Sequence, residues 1–374
     1  MNMQKRRMAF FLPTLHGGGA ERVTINLLKG IVAKNFPLDL DLVLATVEGP
    51  YLDQVPKQVR LVNLAAGRVV KGILPLSNYL KSERPSAVLS HMSHANVVAV
   101  VARELAAIKT KLVLVEHDTI SVTQSKVFRG RLIPPLVKWF YPRADAIVGV
   151  SQGVAQDLHT KFSIPEEKIS VIYNPVVDEE LICKAKAPLN HPWFQKDSPP
   201  VFLAVGRLTK QKDFFTLIKA FELLRKQRLV RLIILGEGEY RSELEEMIAK
   251  LEISEDISMP GFVKNPYAYM SRASAFVLSS RWEALPTVLI EAMACGCPVI
   301  ATDCPSGPKE ILESGLYGSL IPIGNTTALA GAMLQILDFP TNRESLIKRA
   351  MYFSSERVVP EYLRLLGCEC ESYF

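Results

Sequence analysis

Residues 275–303 read Ala275-Phe276-Val277-Leu278-Ser279-Ser280-Arg281-Trp282-Glu283-Ala284-Leu285-Pro286-Thr287-Val288-Leu289-Ile290-Glu291-Ala292-Met293-Ala294-Cys295-Gly296-Cys297-Pro298-Val299-Ile300-Ala301-Thr302-Asp303. The apolar run 275–278 has strand length and ends in a polar loop. A helix near 288–295 follows, built of small and apolar residues, and stops at Gly296. Residues 299–301 form a second strand after Pro298. Strand, helix and strand in that order make a crossover unit of a doubly wound α/β sheet. Pro286 suits the first helical turn, where its missing N–H costs little.

The same alternation extends outward. In the second half, strands are expected at 201–205 and 232–235, with helices near 213–226, 240–250 and 325–338. In the first half, strands are expected at 8–12, 40–45, 87–90, 112–115, 146–150 and 169–173, with helices near 20–34, 94–107 and 151–162. Residues 178–199 break the pattern with Pro188, Pro192, Pro199 and Pro200 and read as a linker. The chain is thus two α/β domains, 1–180 and 200–344, joined over 181–199, and a cleft between them is expected. Ligands of such sheets bind outside the carboxyl ends of the strands. The last segment, 345–366, reads as helical with a break at Pro360.

Composition agrees. The chain has 374 residues, 48 % hydrophobic and 22 % charged, a packed globular profile that excludes disorder as the main state. A net charge of +6 is too small to argue for nucleic acid as a partner. Its distribution says more: residues 1–185 carry 23 basic and 16 acidic side chains, while residues 186–374 carry 21 and 22. Two stretches in the first half hold no acid. One is 54–82, with Lys57, Arg60, Arg68, Lys71 and Lys81. The other is 119–144, with Lys126, Arg129, Arg131, Lys138 and Arg143 among aromatic and aliphatic residues. Such a mixture suits an anionic membrane surface or a phosphate-bearing ligand; a solvated helix with its aromatic face on its own core is the plainer alternative. No apolar run is long enough to span a bilayer. The apolar run 8–12 reads as a first strand rather than a signal peptide. The six cysteines lack zinc or redox spacing and read as reduced thiols of a cytosolic protein.

Three constellations carry chemistry. Gly17-Gly18-Gly19 follows the first strand and precedes a helix, so the backbone there can approach a ligand and the helix start favours an anion; a plain strand-to-helix turn is the competing reading and the one its residues alone favour. Gly206-Arg207-Leu208-Thr209-Lys210-Gln211-Lys212 follows the first strand of the second half. Arg207 and Lys212 on one loop could hold a diphosphate, though from spacing alone two exposed surface charges is the better reading. The third is the opening stretch. Glu283 lies in its loop, and Glu291 sits in an apolar helix where a carboxylate is costly without a hydrogen-bond partner. The N–H groups of Thr287 and Val288 would face an anion.

Glu283 and Glu291, with seven residues between them, and the Gly206–Lys212 loop resemble the retaining, nucleotide-sugar-dependent glycosyltransferases of family 4, which have the GT-B fold. The resemblance covers essentially the whole chain. It implies that Arg207 and Lys212 bind the donor diphosphate, that Glu291 holds the ribose and that Glu283 holds hydroxyls of the transferred sugar. It implies that Phe262 and Val263, in the loop 261–265, lie where the base is held. Gly18 and Gly19 belong to the loop that closes on donor and acceptor. Leu285, Pro286, Thr287 and Val288 form the phosphate cradle. Many relatives have Gly where this chain has Pro286, which shifts the cradle onto Thr287 and Val288. The C-terminal helix, about 345–374, is expected to cross back to the first domain.

His117, in Val115-Glu116-His117-Asp118, resembles the family's histidine near the donor sugar and completes the catalytic set with Arg207, Lys212 and Glu283. His16 and Asp118 are weaker candidates. His91 and His94 read as polar caps at a strand-to-helix junction. The only D-x-D pair, Asp39-Leu40-Asp41, starts a strand instead of ending one, so no metal and no separate cofactor is expected. The implied reaction is retaining sugar transfer, with UDP-hexose or UDP-N-acetylhexosamine as donor and a lipid-linked or saccharide acceptor. The implied location is the inner face of the plasma membrane. A GDP-mannose-dependent transferase, a sugar-nucleotide epimerase and a non-catalytic sugar-nucleotide-binding subunit are the rival readings.

Overall fold

The computed structural model describes residues 6–123, 133–339 and 341–368. The chain divides into two compact units. The first runs to Pro175 and takes back the segment from Ser355; the second is Val176–Ser354.

The first unit holds a sheet of seven parallel strands. They are β1 (Arg6–Leu12), β2 (Leu38–Leu44), β3 (Val59–Asn63), β4 (Ala87–His91), β5 (Lys111–Glu116), β6 (Ala146–Gly149) and β7 (Ile169–Val171). Their spatial order is β3-β2-β1-β4-β5-β6-β7, so the chain starts in the middle and reverses direction between β3 and β4. The second sheet has six parallel strands: β8 (Val201–Val205), β9 (Arg231–Leu235), β10 (Ile257–Gly261), β11 (Ala275–Leu278), β12 (Val299–Thr302) and β13 (Ser319–Ile321). Its order, β10-β9-β8-β11-β12-β13, repeats the same winding. Inner strands such as Phe10–Leu12, Leu112–Val115 and Phe202–Ala204 are buried throughout, as a parallel sheet covered on both faces requires.

Three strands were not expected: β3, β10 and β13. All lie on the outer side of a sheet. β3 alternates Val59, buried, with the exposed Arg60 and Leu61, and β13 has only three residues. Strands with one wet face lack the continuous apolar run that marks the inner ones.

The stretch expected as a linker, 181–199, holds most of the helix Glu179–Ala185, capped by Asp178 Oδ1 accepting from Leu181 N–H at 2.8 Å. Its later part is pinned by rings: His191, Phe194 and Tyr269 meet edge to face at 5.6–6.0 Å, and the Arg231 guanidinium lies 4.7 Å over Trp193. The entry and exit of the second unit are tied together, with Val176 N–H donating to Phe353 O at 2.8 Å and Val177 bridging Ser354.

The expected break at Pro360 is a correction. The chain breaks instead over Met351–Phe353, a 3-10 turn followed by extended Ser354, and the helix Ser355–Leu365 runs through Pro360. A proline inside a helix costs about 3 kcal/mol. Packing outweighs it, because Val358, Val359, Tyr362 and Leu363 are all buried and the helix lies on Gly19–Ala33 of the first unit. Gly30 makes that approach possible: a Cβ there would sit 2.6 Å from Val359 Cγ2, a branched side chain with little freedom. We therefore expect Gly30→Leu to destabilise the protein by about 1–3 kcal/mol through overpacking, although leucine is the better helix former. A denaturation midpoint unchanged from the parent would contradict the close crossing.

Candidate active site

The loop leaving β8 carries Gly206, Arg207 and Lys212. The Gly206 N–H donates to Leu235 O at 3.0 Å, extending the ladder with β9. Gly236, at the end of β9, has φ +139°, and a Cβ there would stand 2.0 Å from Gly206 O. Only glycine lets these two loops meet so closely.

Lys212 folds back over Gly206, and its Nζ lies 2.6 Å from Glu283 Oε1. Ser280 Oγ donates to the same oxygen at 2.6 Å. The lysine and carboxylate side chains are only 15 % and 8 % exposed, so the pair is largely withdrawn from water. Breaking one partner of such a pair leaves an uncompensated charge, at about 3–5 kcal/mol. The two loops are tied along their length. Arg281 N–H donates to Gln211 O at 2.7 Å, Gln211 Nε2 to Trp282 O at 2.9 Å, and Ser279 Oγ to Lys212 O at 2.7 Å. Arg281 NH1 reaches Asp213 Oδ2 at 3.0 Å. The ends of β8 and β11 thus form one rigid polar rim. Arg207 is on this rim, exposed and in no ion pair among the described residues.

The helix Thr287–Ala294 leaves the rim. Pro286 is its N-cap, one residue before the first turn in which it was expected. Thr287 and Val288 are half-buried, whereas the Leu285 side chain is buried, which leaves its backbone as its polar surface. Glu291 is buried in the helix. Behind Glu283, burial and that carboxylate's charge push the Cys304 thiol up to about 12, so it stays protonated. After β10, Phe262 is 79 % exposed and Val263 half-buried.

In the first unit the glycine loop leaves β1. Gly17 has φ +101°, Gly18 is the extended N-cap and the helix begins at Gly19. His16 Nε2 contacts Glu48 Oε1 at 3.0 Å in an exposed pair. At the end of β5, Glu116 is fully buried and collects four donors. Its Oε1 accepts the His117 and Asp118 N–H groups and Ser93 Oγ–H, each at 3.1 Å, and its Oε2 accepts Tyr141 O–H at 2.7 Å. Burial, aided by the charge of Asp118, raises this carboxyl to about 8. His117 is half-buried, and burial lowers its ring to about 3.

Neither His91 nor His94 caps the helix Ser93–Ala106, contrary to expectation. Its N-cap is Met92, which makes no side-chain cap. His94 is exposed, while His91 ends β4, fully buried, with Nδ1 2.9 Å from His117 Nε2. In the middle of β2, away from the carboxyl ends of the strands, Asp41 of the D-x-D pair is buried and accepts from Arg60 Nε at 2.9 Å and Tyr79 O–H at 2.6 Å. Sequence reasoning missed Ser280, Glu116, Tyr141 and the partnership of His91. Glu116 had a signal: it closes the apolar strand Leu112–Val115, where an acid needs partners for the same reason as Glu291.

Two parallel α/β units with their polar side chains gathered at the carboxyl ends of the strands are the two Rossmann-like domains of the GT-B fold. Residues 17–180 match the family described as Glycosyltransferase Family 4, and residues 189–351 the one described as Glycosyl transferases group 1. Over 376 residues the chain is 30 % identical to the N-acetylgalactosamine-N,N'-diacetylbacillosaminyl-diphospho-undecaprenol 4-alpha-N-acetylgalactosaminyltransferase of Campylobacter jejuni, covering 96 % of this chain and 99 % of that protein. Among solved structures, the lipopolysaccharide outer core galactosyltransferase WaaB matches with a TM-score of 0.75 at 22 % identity over 97 % of this chain and 100 % of that one. HepE of Anabaena in complex with UDP-glucose matches with a TM-score of 0.75 at 20 % identity over 96 % and 98 %. The chain belongs to glycosyltransferase family 4 and is a glycosyltransferase.

The buried titratable groups set a pH dependence. Unfolded, His91 and His117 take up protons near pH 6.5; folded, burial holds both below that value. Stability is therefore full above pH 6.5 and falls as the pH drops towards 3. Glu116 acts oppositely: it keeps its proton when folded up to about pH 8, against 4.5 unfolded. Its contribution is full below 4.5 and is lost as the pH rises to 8. Denaturant midpoints measured from pH 4 to 9 should peak between these limits. Glu116→Gln should flatten the alkaline side; an unchanged slope between pH 5 and 8 would refute the buried neutral carboxyl.

Proposed function

We propose that the protein transfers a hexose or N-acetylhexosamine from a UDP-sugar, with retention at the anomeric carbon, to a lipid-linked or saccharide acceptor of a surface glycan. The observation that carries this reading is the Lys212–Glu283 pair on the rim built by β8 and β11. Glu283 holds Lys212 Nζ at 2.6 Å on the same rim as the exposed Arg207. Two cations and the start of the helix Thr287–Ala294 suit a diphosphate, and Glu283 and Glu291 suit hydroxyl donors. The name of the Campylobacter relative supports a diphospho-undecaprenol acceptor, and the HepE complex supports UDP.

The bond from the anomeric carbon to the diphosphate oxygen breaks, and the acceptor oxygen bonds to that carbon on the same face. The acceptor's proton passes to the departing phosphate. Lys212, Arg207 and the helix N-terminus stabilise the charge that develops on the leaving group, with no metal assigned a step. Phe262 offers its exposed ring to the base. His117, Gly18 and Gly19 take the roles that the family resemblance implies, beside the transferred sugar.

The acceptor side suits an anionic membrane. Val70, Leu74 and Trp139 are 60 %, 67 % and 66 % exposed, on segments that both pack against the helix Ser93–Ala106. Lys71, Lys81 and Lys138 are exposed on the same segments, and the Arg143 guanidinium lies 5.2 Å over both Trp139 and Phe140. Arg60 serves the fold instead, paired with buried Asp41. Lys126, Arg129 and Arg131 lie outside the described residues. Among those described, no helix is long and apolar enough to cross a membrane.

Glu283→Ala and Lys212→Ala should each abolish sugar transfer; turnover at the parental rate in either would overturn the assignment. In a panel of UDP- and GDP-sugars, a UDP-sugar should raise the thermal midpoint most, since a ligand of the folded state stabilises it by mass action. A larger shift with GDP-mannose would transfer the assignment to that donor. Flotation with anionic vesicles at low salt, lost on neutral vesicles, checks the membrane face; each basic residue near the surface is worth about 1 kcal/mol.

A further inference from the structure

The end of β4 contains a local anomaly. Met92 has φ +76° and ψ 133°, a conformation that side-chain-bearing residues rarely adopt. The kink stands between two residues aimed at one target: His91 meets the His117 ring, and Ser93 donates to Glu116, the residue before it. Strain held in place by surrounding structure is a feature of functional sites. Glu116 fixes the backbone N–H groups of His117 and Asp118. His91 fixes the His117 ring, stacked with centroids 5.2 Å apart and planes 24° apart.

The hydrogen bond between the rings can run either way. If His117 Nε2–H donated, His91 would carry its own proton on Nε2. That atom is buried and has no partner among the described residues, so an N–H would be stranded. If His91 Nδ1–H donates, the atom left over is a bare ring nitrogen. Buried orphan N–H groups are rarer than under-satisfied acceptors, which selects the second arrangement. Burial also keeps both rings neutral. His117 Nδ1 makes no hydrogen bond among the described residues, and its side chain is half-exposed.

We propose that His91 is a positioning residue that sets the tautomer of His117: His91 Nδ1–H caps His117 Nε2, so His117 presents a fixed Nδ1–H to its ligand. This rests on the glycosyltransferase reading, in which His117 meets the sugar. It has a chemical consequence. The only lone pair on the His117 ring is occupied, so this residue donates to a substrate oxygen and does not take the acceptor's proton.

Nitrogen NMR of the protein labelled in its histidine rings distinguishes the tautomers without any turnover. At pH 7, His117 should be neutral with the proton on Nδ1. His91→Asn places an amide N–H at the Nδ1 position and should preserve that tautomer; His91→Leu should shift it towards Nε2–H. In transfer assays, His91→Leu should lower kcat by up to about 100-fold, the scale of misplacing a group at a reacting centre, with a smaller change in KM for the donor sugar. His91→Asn should restore most of kcat. A wild-type His117 protonated on Nε2 or on both nitrogens overturns the proposal, as does His91→Leu with an unmoved tautomer and full kcat. If His91→Leu does not fold, the wild-type and His91→Asn spectra still decide. Absence of transfer in the wild type with the Nδ1–H tautomer present would count against the proposed reaction and not against the positioning role.

Discussion

Every strand in both sheets is parallel, and that constraint organises everything else. A parallel strand can be reached only by a crossover, so each strand ends at the same side of its sheet and each sheet is covered on both faces. Apolar residues dominate the inner strands, with buried Asp41 of β2, paired with Arg60 and Tyr79, an exception. Polar groups collect in the loops at the carboxyl ends, where β8 and β11 bring Lys212 and Glu283 together and β4 and β5 bring His91 and His117 together. The buried Lys212–Glu283 pair and the buried Glu116 are tolerable because each is surrounded by donors fixed on neighbouring strand ends.

The two units meet this constraint in different ways. The rim of the second is held by charge: Lys212 with Glu283, and Arg281 with Asp213. The corresponding end of the first is held by neutral groups, since burial keeps His91 and His117 uncharged and lifts the Glu116 carboxyl towards neutrality. A charged rim suits a diphosphate. A neutral histidine suits a sugar hydroxyl. This division of labour rests on local solvation, not on residue type alone.

The strand-helix-strand crossover at 275–303 carries one unusual feature. Pro286 stands at the N-cap of the helix Thr287–Ala294 and has no N–H to offer. The half-buried Thr287 and Val288 follow it directly, so the amides that remain at this helix end are theirs.

Arg207, Lys212, Glu283, Glu291 and His117 were singled out as site candidates through the family resemblance, not through spacing alone. The inner strands and most of the helices were legible in the sequence, because continuous apolar runs are local properties. The edge strands β3, β10 and β13 were not, since each has too little buried surface to leave a pattern. The turn at Met351–Phe353, the passage of a helix through Pro360 and the close crossing at Gly30 were decided by packing between segments far apart in the chain. The same holds for the chemistry of the site. Lys212 and Glu283 are 71 residues apart, and His91 and His117 are 26 apart. The sequence by itself determined which side chains stand at strand ends. Only the tertiary structure decided which of them share a hydrogen bond, and therefore which stand in largely buried ion pairs and which are held neutral by burial.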